Sequence, residues 1–172
     1  MHITAERVMK LNPCSKYNVQ KVLKLFGKRK ELSHIQISKL KIPYIDKIWV
    51  LVQNHFLTHE QQILFSIFSA ELALSAWEKK HYNDKRPRKA LDAARNVLIE
   101  PSKTNKKAAK AAANSADFTA SNAAIAAFCT TRVAAYPKYA ASFAFSAAAG
   151  TANKFRKAQL KFLVNIISDN ES

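Results

Sequence analysis

Apolar positions recur at helical spacing along most of the chain. Thr4 can cap a turn running to Leu11, and Ser15 can cap a second helix in which Val19, Val22, Leu23 and Phe26 form one apolar stripe. Gly27 follows the last stripe residue, where a helix-ending glycine belongs, and the basic connector Lys28, Arg29, Lys30 comes next. Ser33 begins a short helix carrying Ile37 and Leu40. The alternation of Ile35 with Ile37 and of Leu40 with Ile42 would suit a strand as well. Pro43 fits the first turn of a further helix through Ile45, Ile48, Trp49 and Val52, where its missing N–H is not needed.

Stronger signals begin at Thr58. Thr58 with Gln61 three residues later is a capping-box pair, and the run from Ile63 to Trp77 is apolar around most of its circumference. The segment from His59 to Trp77 is therefore expected to be the most buried helix. Its end falls near Tyr82 and Asn83. Asp84 to Arg88 then lead into a helix with Pro87 near its first position, Leu91, Ala94, Val97 and Leu98 facing inward, and Pro101 as its stop. Between Ala108 and Ala152, 20 of 45 residues are alanine, the strongest helix former. This predicts two long antiparallel helices, about Thr104 to Ala135 and Pro137 to Ser168, turning at Tyr136 and Pro137. Phe118, Ile125, Phe128, Val133, Phe143, Phe145 and Phe155 would form their seam. The whole reads as one all-α domain over residues 1–172, with short helices over 1–57 and a main bundle over 58–172. Six to eight helices are expected, with no sheet of more than two short strands.

Composition narrows the alternatives. Only 2 glycines occur in 172 residues, so the positive-φ positions of tight hairpins, phosphate loops and dinucleotide-binding turns are almost unsupplied. Against 12 Asp and Glu stand 28 Lys and Arg, a formal charge of +16 that attracts polyanions: nucleic acid, an anionic membrane face or an acidic protein. The N-terminus has no apolar leader pattern, and the longest uncharged stretch, Tyr139 to Asn153, is shorter than the roughly 20 apolar residues of a membrane span. A cytoplasmic protein without a membrane span is expected.

Catalytic chemistry finds little support in the residue pattern. His55 and His59 stand four apart, but Leu57 and Thr58 between them mark a loop and a cap, so the two do not share a helical face as a zinc pair would. His2, His34 and His81 have no neighbouring cysteine or carboxylate pattern, and Cys14 and Cys129 read as two buried, reduced thiols. No serine-nucleophile elbow is present, and no cofactor, metal or small-molecule substrate is called for. Glu71 lies inside the apolar run, where an unpaired charge would cost several kcal/mol. An ion pair with Arg88 or Arg95 is favoured over a catalytic carboxylate, and Glu78 is expected to pair with Arg86.

The basic clusters carry the functional signal. Between Lys79 and Lys110 lie eleven Lys/Arg and three acids, half of the chain's net charge. Lys103, Lys106, Lys107 and Lys110 recur at helical spacing at the N-terminal end of a helix, where cations oppose the helix dipole and do nothing for the helix itself. Lys154, Lys157 and Lys161 form a second stripe. Together with Lys79, Lys80, Lys85, Arg86 and Lys89 these residues are the candidate polyanion-binding set. The competing reading is a solvated surface that keeps an alanine-rich protein soluble. No polar recognition helix of a turn-helix pattern stands out, so sequence-specific base reading is not expected.

The residues from Phe68 to Leu98 include the acidic helix AELALSAWE, a short turn and the segment DKRPRKAL, with alanine-dense helices behind. This arrangement, and more faintly the opening RVMKLNPCSKY, resembles the helical immunity-type proteins of bacterial polymorphic toxin systems and related uncharacterised bacterial and phage proteins. The resemblance implies an all-helical, non-enzymatic protein that binds another macromolecule, in the immunity case a toxin that it neutralises. No catalytic residues carry over. The charge of +16 departs from that pattern and argues against a nuclease target, whose nucleic-acid groove an acidic inhibitor would mask better. Two readings follow: a non-enzymatic binder of nucleic acid or of an acidic protein through Lys/Arg stripes and, as the alternative, an immunity-type inhibitor that docks on a toxin or other enzyme.

Overall fold

Strand β1 (His2–Thr4) and strand β2 (Glu31–Ser33) pair antiparallel with Ile3 opposite Leu32, and both of these side chains are buried. The computed structural model describes residues 1–115 and 122–169. Apart from this ribbon, their regular structure is helical, an all-α bundle. Helix α1 (Ala5–Lys10) starts at Thr4, whose Oγ1 accepts from the Arg7 N–H at 3.2 Å. Helix α2 (Val19–Phe26) is capped by Asn18 rather than Ser15, because Ser15 is taken up in a turn closed from Tyr17 N–H to Cys14 O. Val22 and Phe26 are buried, whereas Val19 and Leu23, expected on the same stripe, are about half exposed. Gly27 ends α2 at φ +61°, a conformation glycine adopts without strain.

Helix α3 (His34–Lys39) has a full capping box between Ser33 and Gln36, which decides the helix-or-strand ambiguity of this segment: Ser33 closes β2 and opens the helix. Helix α4 (Tyr44–Leu51) begins after Pro43. Helix α5 (His59–Glu78) starts from the reciprocal Thr58–Gln61 box and is the central element, packed against the helices that follow. Its Ile63, Phe65, Ala70 and Leu74 are at most 1% exposed. Helix α6 (Arg86–Ile99) carries Pro87 in its first turn and buries Leu91, Ala94 and Val97, with Leu98 half-buried, and the chain leaves it before Pro101.

The alanine-rich segment departs from the expected pair of long helices. It forms α7 (Lys103–Ser115), α8 (Asn122–Ala135), α9 (Ala140–Ala149) and α10 (Arg156–Ser168), so ten α-helices occur among the described residues. Helices α7 and α8 pack against each other, which no single straight helix could do. A one-turn 3-10 segment, Pro137–Tyr139, reverses the chain between α8 and α9, and a second, Asn153–Phe155, separates α9 from α10. The expected turn at Tyr136 and Pro137 is where α8 ends, but alanine favours helix at every position and so gave no sign of the further breaks that separate α7 from α8 and α9 from α10. Ala126, Ala127, Ala144, Ala147 and Ala148 are fully buried, the small side chains that let helix axes approach closely. Of the expected seam residues, Val133 is buried, Phe128, Phe143, Phe145 and Phe155 are half-buried, Ile125 is exposed, and Phe118 lies outside the described residues. Among the described residues no helix is long and apolar enough to cross a membrane.

Candidate polyanion-binding face

The corner between α5 and α6 sorts the charges of the basic segment. Arg88 grips Glu78 with two parallel bonds, Nε to Oε1 at 2.9 Å and Nη2 to Oε2 at 2.8 Å, and sends Nη1 to Glu71 Oε1 at 2.7 Å. Arg95 donates to the same Glu71 oxygen and to Asp92 Oδ1. Glu71 thus meets both arginines at once. Its side chain keeps 30% exposure, so it is half-buried rather than enclosed. Glu78 pairs with Arg88, not Arg86. Arg86 instead closes a fork on Asp84 two residues before it, Nε to Oδ1 at 2.8 Å and Nη2 to Oδ2 at 2.6 Å. These bonds hold the Glu78 carboxyl below the usual carboxylate range and bring Asp84 down to about 2, while Arg88 is raised.

Three arginines are engaged by carboxylates, although Arg86 stays exposed beside Asp84, and most of the segment's lysines face water with no carboxylate partner among the described residues. Lys79, Lys80, Lys85 and Lys89 are exposed at the end of α5 and the start of α6. A tight turn joins α6 to α7: Ser102 Oγ accepts from Asn105 N–H, and Asn105 Nδ2 donates back to Asn96 O and Glu100 O. It launches α7 along α6 with Lys103, Lys107 and Lys110 exposed and Lys106 half-buried.

Lys110 places its Nζ 5.7 Å from the centre of the Tyr136 ring, at the turn between α8 and α9. In that turn Lys138 lies 5.6 Å from the ring of Tyr139, which is 55% exposed. The α7 stripe therefore continues into a lysine–tyrosine patch that the sequence reading missed. The dipeptide Lys138–Tyr139 was legible locally, but the meeting of Lys110 with Tyr136 depends on α7 folding back on α8. The second stripe, Lys154, Lys157 and Lys161, is exposed on and just before α10, a helix that packs chiefly on α3, α4 and α5, with Lys154 over the Phe155 ring at 5.0 Å. The two stripes ride on helices with different neighbours.

The other candidate groups have structural partners. A ring nitrogen of His55 faces His2 O, that of His59 faces Val133 O at 2.8 Å, and that of His34 faces Ser168 Oγ at 2.9 Å. Cys14 is exposed, contrary to the buried pair expected, because it sits in the loop before α2. Cys129 is buried, and burial pushes its thiol up to about 11. Among the described residues no group of three or more His, Cys, Asp or Glu could hold a metal ion. Comparison with protein-family models, with curated proteins and with solved structures finds no match for the chain. Function is therefore argued from the residues themselves.

Proposed function

We propose that this protein is a non-enzymatic nucleic-acid-binding protein that engages phosphates through the lysines of α7 and their neighbours without reading base sequence. The observation that carries the reading is the sorting of charge: Arg86, Arg88 and Arg95 are engaged by Asp84, Glu71, Glu78 and Asp92, whereas the lysines of the same segment, the half-buried Lys106 apart, are exposed. An arginine held in this way builds the scaffold. An exposed lysine is a mobile point charge, able to neutralise a phosphate without fixed geometry. Nucleic acid is favoured over an acidic protein because Tyr136 adjoins the stripe at Lys110 and the exposed Tyr139 follows in the same turn beside Lys138, and aromatic rings beside cations give unpaired bases a surface on which to stack.

Titration of duplex DNA, single-stranded DNA and RNA near about 0.15 M salt tests the reading. The logarithm of affinity should fall linearly with the logarithm of salt concentration, and Lys103→Gln, Lys107→Gln and Lys110→Gln should each reduce that slope by about one unit on unrelated sequences alike. If none of the three nucleic acids binds more tightly than about 100 μM, nucleic acid is excluded, and an acidic protein, including a toxin neutralised by docking, takes its place as partner.

A further inference from the structure

The N-terminal elements, with Phe145 of α9, line a cavity of about 340 Å³ that shares no residue with the lysine stripes. Ile3, Val8, Val22, Phe26, Leu32 and Ile37 line it, and all six are buried. Helices α1 to α4 are six to eight residues long, and two of the larger apolar side chains of α2, Val19 and Leu23, point away from this space. Short helices meeting at such a junction leave a volume that their own side chains do not fill. Protein interiors pack like organic crystals, and the lining of an unfilled apolar void forfeits its dispersion contacts. The volume falls within the roughly 300 to 1,000 Å³ of small-molecule sites, which likewise have mostly apolar walls and a few placed polar groups.

The polar groups gather at one end. Asn12 and Cys14, both exposed, form the mouth with Tyr17 and Asp46. Asp46, in the first turn of α4, accepts at Oδ2 from Tyr17 Oη at 2.8 Å and from Lys16 Nζ at 3.0 Å. Both donors converge on one oxygen. Among the described residues Oδ1 receives no hydrogen bond, although the Asp46 side chain is only 16% exposed. Burial and the hydrogen bond to Asp46 push the Tyr17 phenol above its usual range, so it stays a donor and leaves the carboxylate as the acceptor.

We propose that this cavity binds a small neutral amphiphile, its alkyl or aromatic body among the buried side chains and a hydroxyl or amide N–H head donating to Asp46 Oδ1. Charge at the mouth selects the head. An anionic head would face the carboxylate, and a cationic head would face Lys16 beside it on a chain of net charge +16. A neutral donor meets neither repulsion. The site is independent of the phosphate-binding reading, since it shares no residue with the stripes.

Calorimetric titration of the full chain with n-decanol, n-decanoate and n-decylammonium tests the proposal. The alcohol should bind saturably at one site and raise the thermal midpoint, with the two charged analogues about tenfold weaker, the effect of one lost or opposed polar contact. Val22→Trp, which fills the cavity, should abolish alcohol binding; Leu25→Trp, a second lining position, serves if the first variant does not fold. Asp46→Asn should bring decanoate to within about threefold of decanol, because the amide removes the opposing charge while keeping an acceptor. Failure of all three probes to bind saturably to the folded chain would overturn the site. Alcohol binding unchanged in a folded cavity-filled variant would do the same. Decanoate binding the native chain as tightly as decanol would overturn the neutral head.

Discussion

Among the described residues Arg88 donates three hydrogen bonds and Arg156 five inside the same bundle, but to different sources of negative charge. Arg88 lies between two carboxylates at the α5–α6 corner, with about a third of its side chain exposed. Arg156 is 7% exposed, and among the described residues it has no acidic partner. Its guanidinium donates to Ala148 O and Ala149 O, the last carbonyls of α9, to Thr151 O at 3.1 Å, and to the side chains of Thr151 and Gln159 at 3.1 and 3.0 Å. A helix C-terminus is the negative end of the helix dipole and carries carbonyls without helical partners, so the cation there also caps the helix. The shifts follow the surroundings: carboxylates raise Arg88, while burial alone lowers Arg156. A buried charge needs a fixed arrangement of negative ends, and a carboxylate is only one way to supply it.

The largest effect should come from Arg156→Ala. It leaves the α9 carbonyls unsatisfied beside a new void, and the loss should be about 3 to 4 kcal/mol in urea unfolding. Arg156→Lys should recover less than half of that, because a single ammonium cannot reach the carbonyls and the two side chains together. A near-neutral Arg156→Ala would break the comparison by showing that water can replace the guanidinium.

Glu71→Gln should cost less, about 1 to 2 kcal/mol, since the exposed part of this carboxylate lets water compensate in a way that a fully buried pair would forbid. A loss of about 4 kcal/mol or more would mean that the corner behaves as a buried ion network, and would erase the distinction drawn from exposure.

The smallest effect is the acid response. Glu78 titrates below its ordinary 4.5 in the folded protein, so its contribution is complete above that value and disappears as the pH falls through the depressed one. Asp84, lowered from 3.8 to about 2, behaves the same way over a more acidic range. The partners of Arg156 among the described residues are carbonyls, a hydroxyl and an amide, none of which titrates, and its guanidinium stays charged throughout. Amide hydrogen exchange between about pH 6 and pH 3 should therefore show protection lost first along the facing parts of α5 and α6 and retained at the α9–α10 junction. Glu78→Gln should remove part of that acid sensitivity, by less than about 1 kcal/mol. Equal loss of protection in both regions would show that the acid transition is global.

Local chemistry was legible in most places where the signal lies in neighbouring residues, the cap of α2, at Asn18 and not Ser15, being the exception. The Thr58–Gln61 box opens α5, Pro87 sits in the first turn of α6, Thr4 and Ser33 cap α1 and α3, and Gly27 ends α2 at positive φ. Each of these interactions acts over three or four residues, so the sequence contains both partners at a recognisable spacing. The ion pairs were legible in part, because an acid in an apolar run demands a cation, but the spacing could not say that Arg88 would serve Glu71 and Glu78 together and leave Arg86 to Asp84.

By itself the sequence determined the helical class, the central position of α5 and the excess of positive charge, since glycine scarcity, apolar periodicity and residue counts do not depend on how the helices are arranged. Tertiary structure alone decided that the alanine-rich segment folds as four helices rather than two, which lysines of the basic segment lie exposed, that Lys110 reaches Tyr136, and that short N-terminal helices leave a cavity beside Asp46. Alanine packs acceptably against almost any neighbour, and a lysine's partners are whatever the fold brings within reach. Neither residue carries its own address, so the places of both were settled by contacts between segments far apart in the chain.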